Sequence, residues 1–179
     1  MKGMIDLMKG TTAIPTKPYT IGDVVKNAAL LAEAFRTDKM PVFLVRVSME
    51  PETRLKCLTD DHESITHPRS SEWLEFVSEI GSNPSDIVIT KRQWGAFYGT
   101  DLELQLRRRE IDTIVLCGVA TDMGVESTAR FAYEFGFQQV FAEDAMSSMS
   151  EEQHNAAVQY IFPKMGRVRK TEDILRALL

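Results

Sequence analysis

Six short segments that read as strands, all but the last of them largely apolar, alternate with stretches of helical period, and this order constrains the fold more than any single motif does. The runs are "MIDL" (4–7), "PVFLVRVS" (41–48), "DIVIT" (86–90), "DTIVLCG" (112–118), "QQVFAED" (138–144) and "GRVRK" (166–170). Between Asp23 and Arg36, the residues Val24, Ala28, Leu31, Ala32 and Phe35 fall at helical spacing. "SSEWLEFVSEIG" (70–81) reads as a short helix stopped by Gly81, and Thr100 with Glu103 has capping-box spacing at the head of another. A helix is expected over 123–135 with Gly136 as its stop. A further helix runs from the capping box of Ser150 and Gln153 to Phe162, and Thr171 caps a last one. Residues 49–70 show no period and read as a long loop, a class that usually serves function or moves. Strands that alternate with helices in this way predict a parallel sheet with helices on both faces. With 179 residues and no linker, repeat or low-complexity segment, residues 1–179 are expected to form one domain.

Bulk properties narrow the partners. The net charge is -5, from 21 basic and 26 acidic residues, which argues against nucleic acid. The triplet "RRR" at 107–109 reads as a solvated helix end, where cations suit the helix dipole. Cys57 and Cys117 form neither a disulfide framework nor a zinc pattern. No apolar run reaches the length of a membrane span, and "MKGMIDLMKG" is too short and too polar for a signal peptide. The expectation is a cytoplasmic protein acting on a small molecule, with no membrane partner.

In an open parallel sheet, ligands bind beyond the carboxyl ends of the strands. That rule selects Asp6, Ser48, Lys91 and residues 118–124. A carboxylate and an ammonium meeting in one cleft could move protons, provided that their strands lie close together. From position alone, a turn aspartate and a surface lysine are the plainer reading. "CGVATDMGVESTAR" (117–130) is a strand, a tight turn and a helix start, with glycine at 124 where a nucleophile is often placed. The unpaired N–H groups of a helix start can hold an anion or a developing oxyanion. Close helix packing is the alternative reason for Gly124. The segment has neither the phosphate-loop lysine nor GxGxxG spacing.

Together these places resemble the isochorismatase-like hydrolase family, also called the cysteine hydrolase superfamily. The resemblance covers nearly the whole chain and is strongest over residues 90–145. The family's "K…SAF…T.L" pattern appears as Lys91, Gly95-Ala96-Phe97, Thr100 and Leu102. Its "G-V-x-T-x-x-C-V-x-x-T-A-R-x-A" pattern appears as "GVATDMGVESTARFA". The first family motif, Ile-Asp-x-Gln, is Ile5, Asp6 and then Met8 in place of glutamine. Only four residues precede Ile5, where the family's strand begins several residues earlier, so an incomplete or altered start is expected.

The resemblance implies a Rossmann-like three-layer α/β/α fold with a mostly parallel sheet of about six strands. It implies that Asp6, Lys91 and position 124 converge, and that a non-proline cis peptide falls at Val119-Ala120. In thiol members, position 124 is the nucleophilic cysteine, so Gly124 excludes thioester chemistry there. Cys117 lies within a buried strand and reads as core, and nothing places Cys57 near the site. The metal-binding histidines of nicotinamidases are missing, and His62 and His67 lack that pattern, so no metal and no cofactor are expected.

Isochorismatases also tend to carry glycine at this position, because protonation of a vinyl ether and capture by water need no enzyme nucleophile. In that reading Asp6 is the general acid, Lys91 orients it, and Gly124 leaves room for substrate. The resemblance implies that Trp94 and Phe97 line the pocket from the loop after Lys91, with ordinary packing the alternative for Phe97, and that Val119, Ala120 and Met123 line it from the turn. Ala120 and Asp122 stand where isochorismatases tend to carry an aromatic residue and a histidine. The expectation is a hydrolase of a small carboxylated substrate, a homo-oligomer like many relatives. The alternative is a family member that kept the pocket for binding and lost turnover. A cysteine amidase with a nucleophile from elsewhere is disfavoured by Gly124.

Overall fold

The computed structural model describes residues 2–9, 14–48, 57–60, 71–81 and 83–178, with 2–6 and 71 described by their backbone alone. Most of the 49–70 loop, with His62 and His67, lies outside the described residues.

Among the described residues, six strands form one sheet: β1 (Lys2–Asp6), β2 (Val42–Val47), β3 (Ile87–Lys91), β4 (Thr113–Val119), β5 (Gln138–Ser147) and β6 (Arg167–Arg169). Their order across the sheet is β3-β2-β1-β4-β5-β6. Every neighbouring pair is parallel. Five α-helices connect or flank them: α1 (Ile21–Thr37), α2 (Leu102–Arg107), α3 (Glu126–Glu134), α4 (Glu151–Ala156) and α5 (Thr171–Arg176). This is the Rossmann-like order, and its direction reverses between β1 and β4.

Alternation along the strands builds two apolar layers. Phe43 and Val45 of β2, with Ile114 and Leu116 of β4, pack with Leu102 and Leu106 of α2 and Ala129 and Ala132 of α3. Val42 and Leu44, with Val115 and Cys117, pack on the other side with Val24, Leu31 and Phe35 of α1 and Ile174 of α5. Each buried leucine or phenylalanine contributes about 1.5–3 kcal/mol. Phe141 and Phe162 stack in the first layer with ring centroids 4.1 Å apart.

The helix ends show where side chains decide. The Thr20 hydroxyl accepts from the N–H of Asp23 at the head of α1. The capping box of Ser150 and Gln153 is formed as the spacing requires. Gly136 follows α3 with φ +76°, a conformation that favours glycine.

Several expectations are corrected. Within 71–81, the expected helix is only a 3-10 turn over Ser71–Leu74. Beyond it Phe76 forms an antiparallel bridge to Met8, and Lys9 N–H bonds to the carbonyl of Glu75, so the segment is drawn out to cover the loop after β1. Thr100 makes no capping box with Glu103. Asp101 precedes α2, and the Thr100 hydroxyl accepts from Leu102 N–H and donates to the carbonyl of Ala96. Thr171 is the first residue of α5 rather than its cap, and the Asp144 carboxylate receives both its N–H and its hydroxyl. The helix expected at 123 starts earlier, as a π-helical turn over Thr121–Val125. Arg107 is not simply solvated, since its guanidinium lies 4.2 Å from the Phe137 ring centroid.

Strand β5 runs on to Ser147, beyond the expected end at Asp144. Leu116 pairs with Phe141 but Gly118 pairs with Met146, so β5 carries extra residues at this point. The bulge lets Glu143 and Asp144 reach the polar groups of Tyr19, Lys170 and Thr171 before the strand rejoins β4.

Candidate active site

The reversal of strand order opens a crevice at the carboxyl ends of β1 and β4. Asp6, the last residue of β1, is in register with Gly118. Gly118 has φ +117°, a value that residues with a Cβ rarely adopt. The peptide Val119-Ala120 that follows is cis. The π-helical turn Thr121–Val125 then leads directly into α3.

This turn treats its amides unequally. The carbonyl of Ala120 accepts from the N–H of Met123 at 3.3 Å and of Val125 at 3.1 Å, and skips that of Gly124 between them. At the head of a helix, such an N–H carries partial positive charge. Val119, Ala120, Met123 and Gly124 are all partly exposed. The Asp122 carboxylate receives a short hydrogen bond from the Ser148 hydroxyl.

Lys91 ends β3, separated from β1 only by β2. It is 4% exposed, and its Nζ donates to the carbonyl of Trp94 at 2.8 Å. The loop beyond it is tied to the glycine turn by Thr128, a residue that sequence reasoning did not single out. The Thr128 hydroxyl donates to the carbonyl of Gly124 at 2.7 Å and accepts the N–H of Ala96 at 3.0 Å. Gly95 lies against Ser127, where an added Cβ would make ordinary contact at 3.5 Å. Thr128 is four residues after Gly124, so one helical turn brings its hydroxyl back to that carbonyl.

The two aromatic candidates part company. Trp94 is 59% exposed. Phe97 is 6% exposed and packs between Phe135 and Phe137, with centroids 5.5 Å and 5.8 Å away. Met8, in the place of the family glutamine, is fully buried, and its sulfur accepts the N–H of Val47 at 3.3 Å. Cys117 packs in the α1 layer beside Val115, and Cys57 is exposed.

Gly124 borders a cavity of about 10 Å³ shared with Val45, Ala96, Leu116, Cys117, Val125 and Thr128. That is room for about one water, and the lining is apolar apart from Thr128. A larger groove of about 740 Å³ lies between α1 and residues 77–79 and includes none of the expected site residues. Among the described residues, no three His, Cys, Asp or Glu side chains gather as metal ligands. No helix among them is long and apolar enough to cross a membrane.

Around the turn, a second set of polar groups was also missed. His154 of α4 is 1% exposed, and its Nδ1 lies 2.9 Å from the Thr121 hydroxyl. Burial holds its pKa below the ordinary histidine value, while Glu143 pulls the other way. Lys170 bonds to Glu143 and to the Tyr19 hydroxyl. Burial lowers its pKa, but those two partners outweigh burial and hold it above the ordinary lysine value.

Comparison with known proteins bears on the family and the fold. Residues 4–173 match the sequence profile of the Isochorismatase domain. The uncharacterized isochorismatase family protein YecD of Escherichia coli O157:H7 is 51% identical over 177 residues, 98% of this chain and 94% of that protein. The uncharacterized isochorismatase family protein YwoC of Bacillus subtilis is 48% identical over 174 residues, 96% of this chain and 90% of that protein. The solved structure of an isochorismatase family protein from Burkholderia thailandensis is 46% identical. It superposes with a TM-score of 0.93, covering 98% of this chain and 93% of that one. The profile match, the long alignments and the shared fold together show that this chain belongs to the isochorismatase family.

Proposed function

We propose that the protein hydrolyses a small carboxylated substrate, of vinyl-ether type, with Asp6 as general acid and without an enzyme thiol. The observation that carries this reading is Gly124 on the turn at the strand-order reversal, a position where a thiol member needs its nucleophile. Gly118 on the same strand end is in register with Asp6, and Thr128 ties the turn to the loop after Lys91.

The chemistry needs no more than these groups. Asp6 gives a proton to the vinyl carbon, and the substrate becomes an oxocarbenium ion. Water adds to the adjacent carbon, the one bonded to the ether oxygen, and returns a proton to Asp6. The hemiketal so formed passes its hydroxyl proton to the ether oxygen as that carbon–oxygen bond breaks, releasing pyruvate and a hydroxylated ring acid. Lys91 stabilises negative charge beside the acid. The N–H of Gly124 offers a donor to a substrate oxygen. Val119, Ala120 and Met123 face the substrate from the turn, and Trp94 covers it from the loop.

The test is pyruvate release from isochorismate by the native chain and by Asp6→Asn. Release by the native chain alone supports the reading. No release from folded native protein over a broad pH range overturns it. Binding without product would then make the chain a member that kept its pocket and lost turnover.

A further inference from the structure

His154 is a buried titratable group that the proposed reaction leaves unused. Its Nδ1 contacts the hydroxyl of Thr121, the first residue of the turn that carries Gly124. On the opposite side of the ring, Nε2 faces Glu143 Oε2 at 4.0 Å. Tyr19 meets the ring edge-on, with centroids 5.7 Å apart. The charged groups acting on the imidazole are Glu143 on β5, Lys170 before α5, Asp122 on the turn and Glu151 on α4.

This arrangement selects one tautomer. Glu143 Oε2 at 4.0 Å is too far for a hydrogen bond, but its negative charge favours the ring proton on Nε2 over Nδ1. The bare Nδ1 then accepts from the Thr121 hydroxyl. Thr, His and Glu in line have the outline of a nucleophile triad, but Thr121 is fully buried and cannot meet a substrate. What the line fixes is backbone. Thr121 stands between the carbonyl of Ala120, which ladders the turn, and the N–H of Gly124, which that carbonyl skips.

We propose that His154 is a positioning residue: by accepting the Thr121 hydroxyl at Nδ1, it sets the direction of the Gly124 N–H. Its link to catalysis rests on the function proposed above, but the geometric claim can be read without turnover. Asparagine at 154 puts an amide near the place of Nδ1, whereas glutamine reaches to the place of Nε2. The two variants therefore separate hydrogen bonding to Thr121 from mere filling of space.

The experiment is NMR of the full chain at neutral pH. Long-range proton–nitrogen correlation in the native protein should show His154 with the proton on Nε2. The amide signals of Ala120, Asp122 and Gly124 should stay near native positions in His154→Asn and shift in His154→Gln. Thr121→Val, which removes only the hydroxyl's bonding, should shift the same signals, and it serves if a His154 variant fails to fold. Pyruvate release should fall about tenfold in His154→Gln through kcat, with KM little changed, and recover in His154→Asn. A proton on Nδ1, equal shifts in the two His154 variants, or unmoved turn signals in Thr121→Val would each overturn the proposal. Absence of turnover in the native chain would remove the hydrolase reading and leave the NMR result standing.

Discussion

The Thr128 hydroxyl bridges two segments, donating to the carbonyl of Gly124 at 2.7 Å and accepting the N–H of Ala96 at 3.0 Å. The loop that follows Lys91 and the turn that carries Gly124 are thereby held by one buried side chain. Thr128→Val keeps the shape and strands both partners. It should destabilise the fold by about 1–3 kcal/mol for each group left unsatisfied. Thr128→Ser should retain most of the stability, as read from urea denaturation midpoints.

Placing a thiol at the turn tests whether the surroundings still suit one. In Gly124→Cys, the helix head should hold the new thiol below the ordinary value of about 8.5. Iodoacetamide should then label it faster than the exposed Cys57, with buried Cys117 unlabelled. Mass spectrometry across a pH series gives the rates, and labelling no faster than Cys57 would contradict the expectation.

Met8 offers a chemically narrower test. Its sulfur accepts the N–H of Val47 from within the core. Met8→Leu keeps the volume but leaves that N–H unpartnered, a loss of about 1–3 kcal/mol. Met8→Gln presents a carbonyl to the same N–H and should lose less. Equal denaturation midpoints for the two variants would show that the sulfur contact adds nothing.

The buried histidine predicts a pH slope. His154 binds its proton less tightly when folded, because burial lowers its pKa. The unfolded chain, with a value of about 6.5, takes the proton first as pH falls. Stability from this group is therefore fully present above about pH 6.5 and is lost as pH falls from there toward the depressed folded value. Unfolding midpoints through this range should drop more steeply for the native protein than for His154→Asn.

The strands were legible because buried parallel strands read as apolar runs, and five of the six ends fall close to where those runs stop. The end of β5 did not, because Glu143 and Asp144 look like a loop yet occupy a bulge with partners on other elements. Residues 70–81 carry a helical pattern that the pairing of Phe76 with Met8 overrides. In the site, Asp6, Lys91 and Gly124 were legible as positions following strands. The order of those strands was not, because neighbours in a parallel sheet leave no mark in sequence spacing. Thr121 and His154 meet across 33 residues, and neither belongs to a recognisable local pattern.

An all-parallel sheet also dictates an order of assembly. No strand here can pair with its neighbour through a hairpin, since each pair first needs a crossover. β1 is made before its second partner, β4, which follows about 110 residues later. Until then the central strand has one side unpaired, and the crevice between Asp6 and Gly118 does not exist. A nascent chain that stops short of β4 therefore cannot bind a ligand at that place.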